Sequence, residues 1–492
     1  MGSSRRLGNG RSRARRWALT AAAAAVALTG CGTAVEGQPV SILFNPSSVD
    51  GLPVTDGPSG LRPDAPQGTG TVENTDGGDM DRLALQGVND VADFWSEHYD
   101  KSWDGSFTPI TNLISYDSDD PSGPRVCGSD PYGNANAFYC HRDRLMAWDR
   151  GELLPIGDKF FGEMSIAALI GHEYGHAIQR MAHLVDSSTP TIVFEQQADC
   201  FAGSYVRWVA EGSSKRFTLN TGDGLNKVLA AAITIRDPLL KPEDNDLVEE
   251  GHGTALDRIS AFQMGFTTGA SACAAIDLDE IEQRRGDLPM VLKTDDSTGA
   301  LQTGEAPIDE SLVKTLIELL NTQFKPAQQP TLSLQDQPCP DAETTKPASY
   351  CPATNTITVD MPALQTLGTP AGEEERVLIQ GDNTALSVVT SRFMLALQHQ
   401  RGVPLDTAST ALRTACLTAI AQRDMASPIA LPSGNSLVLT AGDLDEAVAG
   451  LLNNGQAASD VNGKTVPAGF TRIMAYRSGL QSDVDACFKR FP

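Results

Sequence analysis

Residues 164–184, MSIAALIGHEYGHAIQRMAHL, constrain this chain more than any other stretch. Apolar side chains at Ile166, Leu169, Ile170, Tyr174, Ile178 and Met181 recur at steps of three and four, the period of a helix buried along one face. Inside it runs His172-Glu173-Tyr174-Gly175-His176. A helix turns once in about 3.6 residues, so the two imidazoles stand one above the other and can grip one metal ion, with Glu173 beside them. Gly171 and Gly175 leave room for a neighbouring element to come close. Tyr174 fits the core of such a helix better than a site.

A hydrolytic metal centre takes three protein ligands and keeps a fourth position open for water. The third candidate is Glu195, in FEQQADC, on a second helix opened by Thr189-Pro190 and continuing through Tyr205, Trp208 and Val209. Four residues on, Asp199 faces the same way and can accept a hydrogen bond from the far nitrogen of a ligand histidine, His172 being the expected one. HExxH followed by ExxxD is similar to the layout of the gluzincin metallopeptidases. The fuller series resembles the bacterial putative neutral zinc metallopeptidase family over about residues 80–275. It comprises FYC before the helix, GHEYGH, ExxADCFAG, then His252-Gly253-Thr254, Arg258, Phe262, Gly265 and Cys273.

The resemblance implies one Zn²⁺ per chain held by His172, His176 and Glu195, with Glu173 as the catalytic acid/base. His252 is then a candidate donor to the oxyanion that develops as a peptide bond is attacked. His98, His141, His183 and His399 have no partners at ligand spacing and read as surface or structural residues.

The second half repeats the first in worn form. Cys127 and Cys140 are 13 apart and Cys339 and Cys351 are 12 apart, each pair followed nine residues on by an aspartate, Asp149 or Asp360. Cys200 and Cys273 are separated by 73, Cys416 and Cys487 by 71. Arg258, Gly265 and Cys273 match Arg472, Gly479 and Cys487 at a constant offset of 214. Aligning the copies sets Ser391, Arg392 and Leu395 against His172, Glu173 and His176, and Ala411 and Ala415 against Glu195 and Asp199, so the second copy keeps no metal chemistry. The shared spacings predict disulfides Cys127–Cys140, Cys200–Cys273, Cys339–Cys351 and Cys416–Cys487.

Those eight cysteines remain after Cys31 is set aside. Residues 1–31 have a basic start (Arg5, Arg6, Arg11, Arg13, Arg15, Arg16), an apolar run from Trp17 to Leu28, and then LTGC. This resembles a bacterial lipoprotein signal, in which Cys31 becomes the lipidated first residue. Without that segment 32 basic residues face 62 acidic ones, a formal charge of −30. Such a surface repels phosphate backbones, which excludes nucleic acid as a partner. No later run reaches the roughly 18 apolar residues needed to cross a bilayer.

The expected architecture is therefore α+β and helix-dominated, with two tandem related zincin-like domains, the second lacking the metal ligands. Residues 1–31 are the signal, 32–79 a Gly/Pro/Ser-rich tether, 80–285 the metallopeptidase domain, 286–304 a polar linker and 305–492 the degenerate copy. The function expected from this is a zinc metallopeptidase, lipid-anchored on the extracytoplasmic face of the cell membrane. Its partners would be peptide or protein substrates of the cell envelope, and an envelope protein for the second domain. The alternative is a non-enzymatic envelope lipoprotein that uses its paired domains for binding. Survival of Glu173, which a structural metal site does not need, speaks for the enzyme.

Overall fold

The computed structural model describes residues 45–294, 299–370 and 378–492. Cys31, the signal segment and the first part of the expected tether lie outside them. The first half opens with α1 (Asp79–Ser102), whose buried stripe includes Leu83, Val88, Val91, Phe94 and Trp95. Strands β1 (Asn112–Tyr116), β2 (Ala137–Cys140) and β3 (Leu145–Asp149) follow. β1 runs parallel to β3 and β2 antiparallel to it, while Val72–Glu73 extends the sheet beyond β1. β2 is thus the outer strand. The chain then turns helical in α2 (Leu153–Phe161), α3 (Glu163–Met181), α4 (Thr191–Ala210), α5 (Asp223–Thr234), α6 (Ala255–Thr268) and α7 (Leu278–Arg285).

The second half has the same order: α8 (Glu310–Phe324), β4 (Thr331–Ser333), β5 (Ala348–Cys351), β6 (Thr356–Val359), α9 (Met361–Leu367), α10 (Asp382–Gln400), α11 (Ala408–Asp424), α12 (Asp443–Asn453), α13 (Gly469–Leu480) and α14 (Val484–Arg490). Its strands pair as the first three do, β4 parallel and β5 antiparallel to β6. Local devices recur as well. Asp149 accepts the backbone N–H of Leu153 at 2.8 Å and Asp360 that of Ala363 at 3.0 Å, so each aspartate takes up a free N–H at the start of the helix after its sheet.

All four expected disulfides form. Gly265 of α6 lies so close to α4 that a Cβ would run into the Cys200 carbonyl, and Gly479 of α13 stands in the same way against the Cys416 carbonyl of α11.

Two expectations about organisation are corrected. Residues 45–79, read as part of a tether, are packed onto the molecule. Their short composition carries too few apolar residues for a core of their own, but they borrow one. Val49 is fully buried, Gly60–Leu61 pairs with Phe217–Thr218, the Leu61 N–H donates to Glu163 at 2.7 Å, and Asp50 meets Arg207 at 2.7 Å. In the segment 286–304, read as a linker between separate domains, the described residues 286–294 are tied to the first half, where the Leu292 N–H donates to the Leu240 carbonyl at 2.9 Å.

One hydrophobic core runs through both halves. Their helices interlock through Phe266 and Phe470, with ring centroids 4.7 Å apart, and through Gln263, which donates to the Phe470 carbonyl at 2.9 Å and accepts from Arg477 at 2.7 Å. Among the described residues no helix is long and apolar enough to cross a membrane.

Candidate metal centre

The site begins with how closely α4 can approach α3. A Cβ on Gly175 would sit 3.0 Å from the Ala198 Cα, and one on Gly171 3.1 Å from the Tyr205 ring, so glycine at both positions lets the helices pack backbone to backbone. That approach carries Glu195 of α4 to the two histidines of α3. The His172 and His176 rings are nearly perpendicular, with centroids 5.0 Å apart. His172 Nε2 is 3.2 Å from one Glu195 oxygen and His176 Nε2 is 3.6 Å from the other. Ligands about 2.0–2.1 Å from a tetrahedral zinc are separated by about 3.3 Å, so this donor set fits the ion by chemistry and by spacing.

Each imidazole is oriented from behind. His172 Nδ1 lies 2.8 Å from Asp199 Oδ1, which also accepts from Arg258 of α6 at 2.8 Å. His176 Nδ1 lies 3.1 Å from Gln179 Oε1. The Gln179 amide nitrogen in turn donates to the Phe194 carbonyl at 2.7 Å and to Gln197 at 3.2 Å, and Gln197 donates to the Ile276 carbonyl at 2.9 Å. With both Nδ1 atoms engaged as donors, both Nε2 lone pairs face the site.

The electrostatics suit a cation. Burial works against a charge on His172, but Asp199 and Glu195 outweigh it and lift its pKa to about 10. Burial alone would raise Glu195; the hydrogen bond with His172 and the potential of His176 and His252 hold its carboxyl far below the usual range. A bound metal ion takes the place of the proton that these carboxylates otherwise retain on the imidazole.

Glu173 is buried, and burial pushes its pKa up. Its Oε2 accepts the Tyr139 backbone N–H at 3.0 Å, which ties it to the outer strand β2. His252 stands across the site, more than half exposed, with Nε2 3.9 Å from Glu195 and Nδ1 3.3 Å from Asp237. These groups line a cleft of about 800 Å³ walled by β2 on one side and by residues 235–238 on the other, with His141 on its rim. Tyr174 belongs to the core, its hydroxyl accepting the Ile110 N–H at 2.9 Å.

The geometry thus brings His172, Glu173, His176, Glu195, Asp199 and His252 together. Among the described residues, the second half brings no equivalent His/Glu set together. Arg392, aligned with Glu173, turns its guanidinium to the carbonyls of Gln456 and Asp460 and to Ser459. Sequence reasoning missed Gln179, Asp237 and the Tyr139 N–H, and quoted Arg258 without a role. Gln179 was within reach, because a residue three beyond a helical ligand lies on the ligand's own face.

Paired histidines one helical turn apart, a glutamate from the next helix and a second glutamate beside the cleft define a metal centre of the HExxH class. Residues 43–276 match the family model described as Putative neutral zinc metallopeptidase, and this part of the chain belongs to that family. No curated protein and no solved structure matches the chain.

Proposed function

We propose that the chain is a zinc-dependent peptidase that works outside the cytoplasm, anchored to the membrane through a lipidated Cys31. The observation that carries the catalytic part is the convergence of three zinc-type donors at tetrahedral spacing with Glu173 at the same cleft. Zinc bound there would polarise the scissile carbonyl and make its water acidic enough to attack at neutral pH. His172, His176 and Glu195 would hold it, with Asp199 and Gln179 fixing the imidazoles. Glu173 would take the proton of the attacking water and pass it to the leaving amine. Its raised affinity for a proton suits both duties. His252, steadied by Asp237, would donate to the oxyanion. An extended peptide would lie along the open side of β2.

Location outside the cytoplasm is supported by four disulfides, which persist in oxidising compartments. We read the second half as a degenerate copy of the first, serving packing and partner binding. The repeated strand order, the aspartate at the start of the helix after each sheet, the disulfides and the glycine contacts support that reading.

The decisive comparison is Glu173→Gln. Zinc content and melting temperature should stay at the wild-type values, while peptide-library cleavage falls by at least about 10²–10⁴-fold. If wild type and variant are equally inert on every peptide, the binding-module reading takes over.

A further inference from the structure

Far along the chain from the metal centre, three carboxylates meet from separate segments. Glu305 precedes α8, Asp382 opens α10, and Glu446 lies in the first turn of α12. One oxygen from each lies within 4.8 Å of the others. Asp382 and Glu446 are 5% and 3% exposed, and Asp443, at the start of α12, is 4% exposed. Among the described residues, none of the four makes an ion pair with a lysine, arginine or histidine.

Part of this cluster is satisfied by backbone. Asp382 Oδ2 accepts from the Ala306 N–H, Glu446 Oε2 from Asn383 at 2.8 Å, Glu305 Oε2 from Asp382 at 3.1 Å, and Asp443 from Thr440 at 2.7 Å. The other side of the cluster is not. Among the described residues, Asp382 Oδ1 is buried without a hydrogen-bond donor. Glu446 Oε1 and Glu305 Oε1 converge over Gly381, where a Cβ would run into both. Glycine there keeps open the space towards which these oxygens are turned.

Several buried carboxylates at this range repel one another strongly, and the low local polarity magnifies the cost. Burial and the neighbouring carboxylates push Glu446 and Asp443 far above the usual range, and burial with Glu305 takes Asp382 to about 6. A counter-cation removes that cost and supplies the partner that Asp382 Oδ1 lacks. The donors are all oxygen, which selects a hard ion rather than zinc. Calcium takes several protein oxygens in a flexible geometry, whereas magnesium keeps several of its waters and is usually held by one or two carboxylates, so a cluster of buried carboxylates suits calcium.

We propose that Glu305, Asp382 and Glu446, backed by Asp443, form a calcium site that clamps the start of the second half to α12. Through α12 the clamp reaches the catalytic half. Asp445 accepts the Leu256 N–H of α6 at 3.2 Å and lies 3.6 Å from Arg236, a residue of the cleft wall.

The test uses the full chain loaded with zinc and freed of calcium by a calcium-selective chelator, titrated with CaCl₂ in a calorimeter and melted in parallel. We expect one calcium per chain, with a Kd of about 0.1–1 mM. The melting temperature should rise by about 3 °C when calcium exceeds its Kd about 100-fold. Glu446→Gln and Asp382→Asn should each abolish the calcium-induced rise and leave zinc content unchanged. In chelator, Glu446→Gln should melt no lower than wild type, because without a cation burial and its neighbours keep a proton on Glu446 and the amide replaces a neutral acid. Absence of heat and of any melting shift in the wild type up to about 10 mM CaCl₂ overturns the proposal. So does calcium binding that survives in both variants. If either variant fails to fold, the wild-type titration still decides.

Discussion

Gln179 holds His176 as Asp199 holds His172, but with a neutral amide oxygen in place of a carboxylate. The second imidazole is therefore aimed by an uncharged partner. Both contacts should matter for metal affinity: Gln179→Leu and Asp199→Asn are each expected to weaken zinc binding by about 10–100-fold, measured by competition with a chromogenic chelator. Asp199→Asn should do more harm, because it also leaves Arg258 facing an uncharged group in a buried place. A pH effect belongs to Asp90, which is wholly buried in α1 and accepts from Tyr205 at 2.8 Å and Ser214 at 2.7 Å. Burial raises its pKa to about 6. Below about pH 4 the folded and unfolded chains both hold this proton, and between there and about 6 only the folded one does. Stability contributed by this group should therefore fall as pH rises through that window, by up to about 3 kcal/mol, and denaturant titrations of Asp90→Asn should show a flatter profile. At this scale the sequence was legible where chemistry needs rare residues at fixed spacing, as at His172, Glu173, His176 and Glu195. It was silent where a main-chain group does the work, as with the Tyr139 N–H that holds Glu173.

Helix pairs carry the next level of order. α4 meets α6 across Gly265, and α11 meets α13 across Gly479, in each case with a disulfide cysteine's carbonyl against the missing side chain. Gly265→Ala and Gly479→Ala should each cost ~3 kcal/mol, since the obstacle is backbone and cannot swing aside. Thermal melting would register both, and only Gly265→Ala should also lower zinc content, because α4 carries Glu195. These pairings were readable because a constant offset of 214 links Gly265 and Cys273 to Gly479 and Cys487. The two small sheets were harder to foresee. β4 has only three residues and β6 only four, too short for an alternating pattern to stand out from a loop, and their pairing depends on partners more than twenty residues away.

For the molecule as a whole, the polar composition of residues 286–304 invited a division that packing does not respect. Composition reports what a segment can bury alone, whereas Leu292 and Val49 are buried against parts of the chain distant in sequence. A fragment ending near residue 290 would expose the faces of α5 and α6 that the second half covers, including Phe266. It should aggregate or melt well below the full chain, and residues 45–492 should unfold in one calorimetric transition. The connectivity of the disulfides has a consequence for how this single body is made. The eight bonded cysteines pair as consecutive neighbours along the chain, first with second, third with fourth and so on, and no bridge encloses or crosses another. With Cys31 withdrawn by the proposed lipidation, a polypeptide emerging amino end first would therefore present each of these thiols with its proper mate before another of the eight arrives. Oxidation in order of appearance then leads straight to the native pairing, so maturation should require a thiol oxidant but little help from an isomerase.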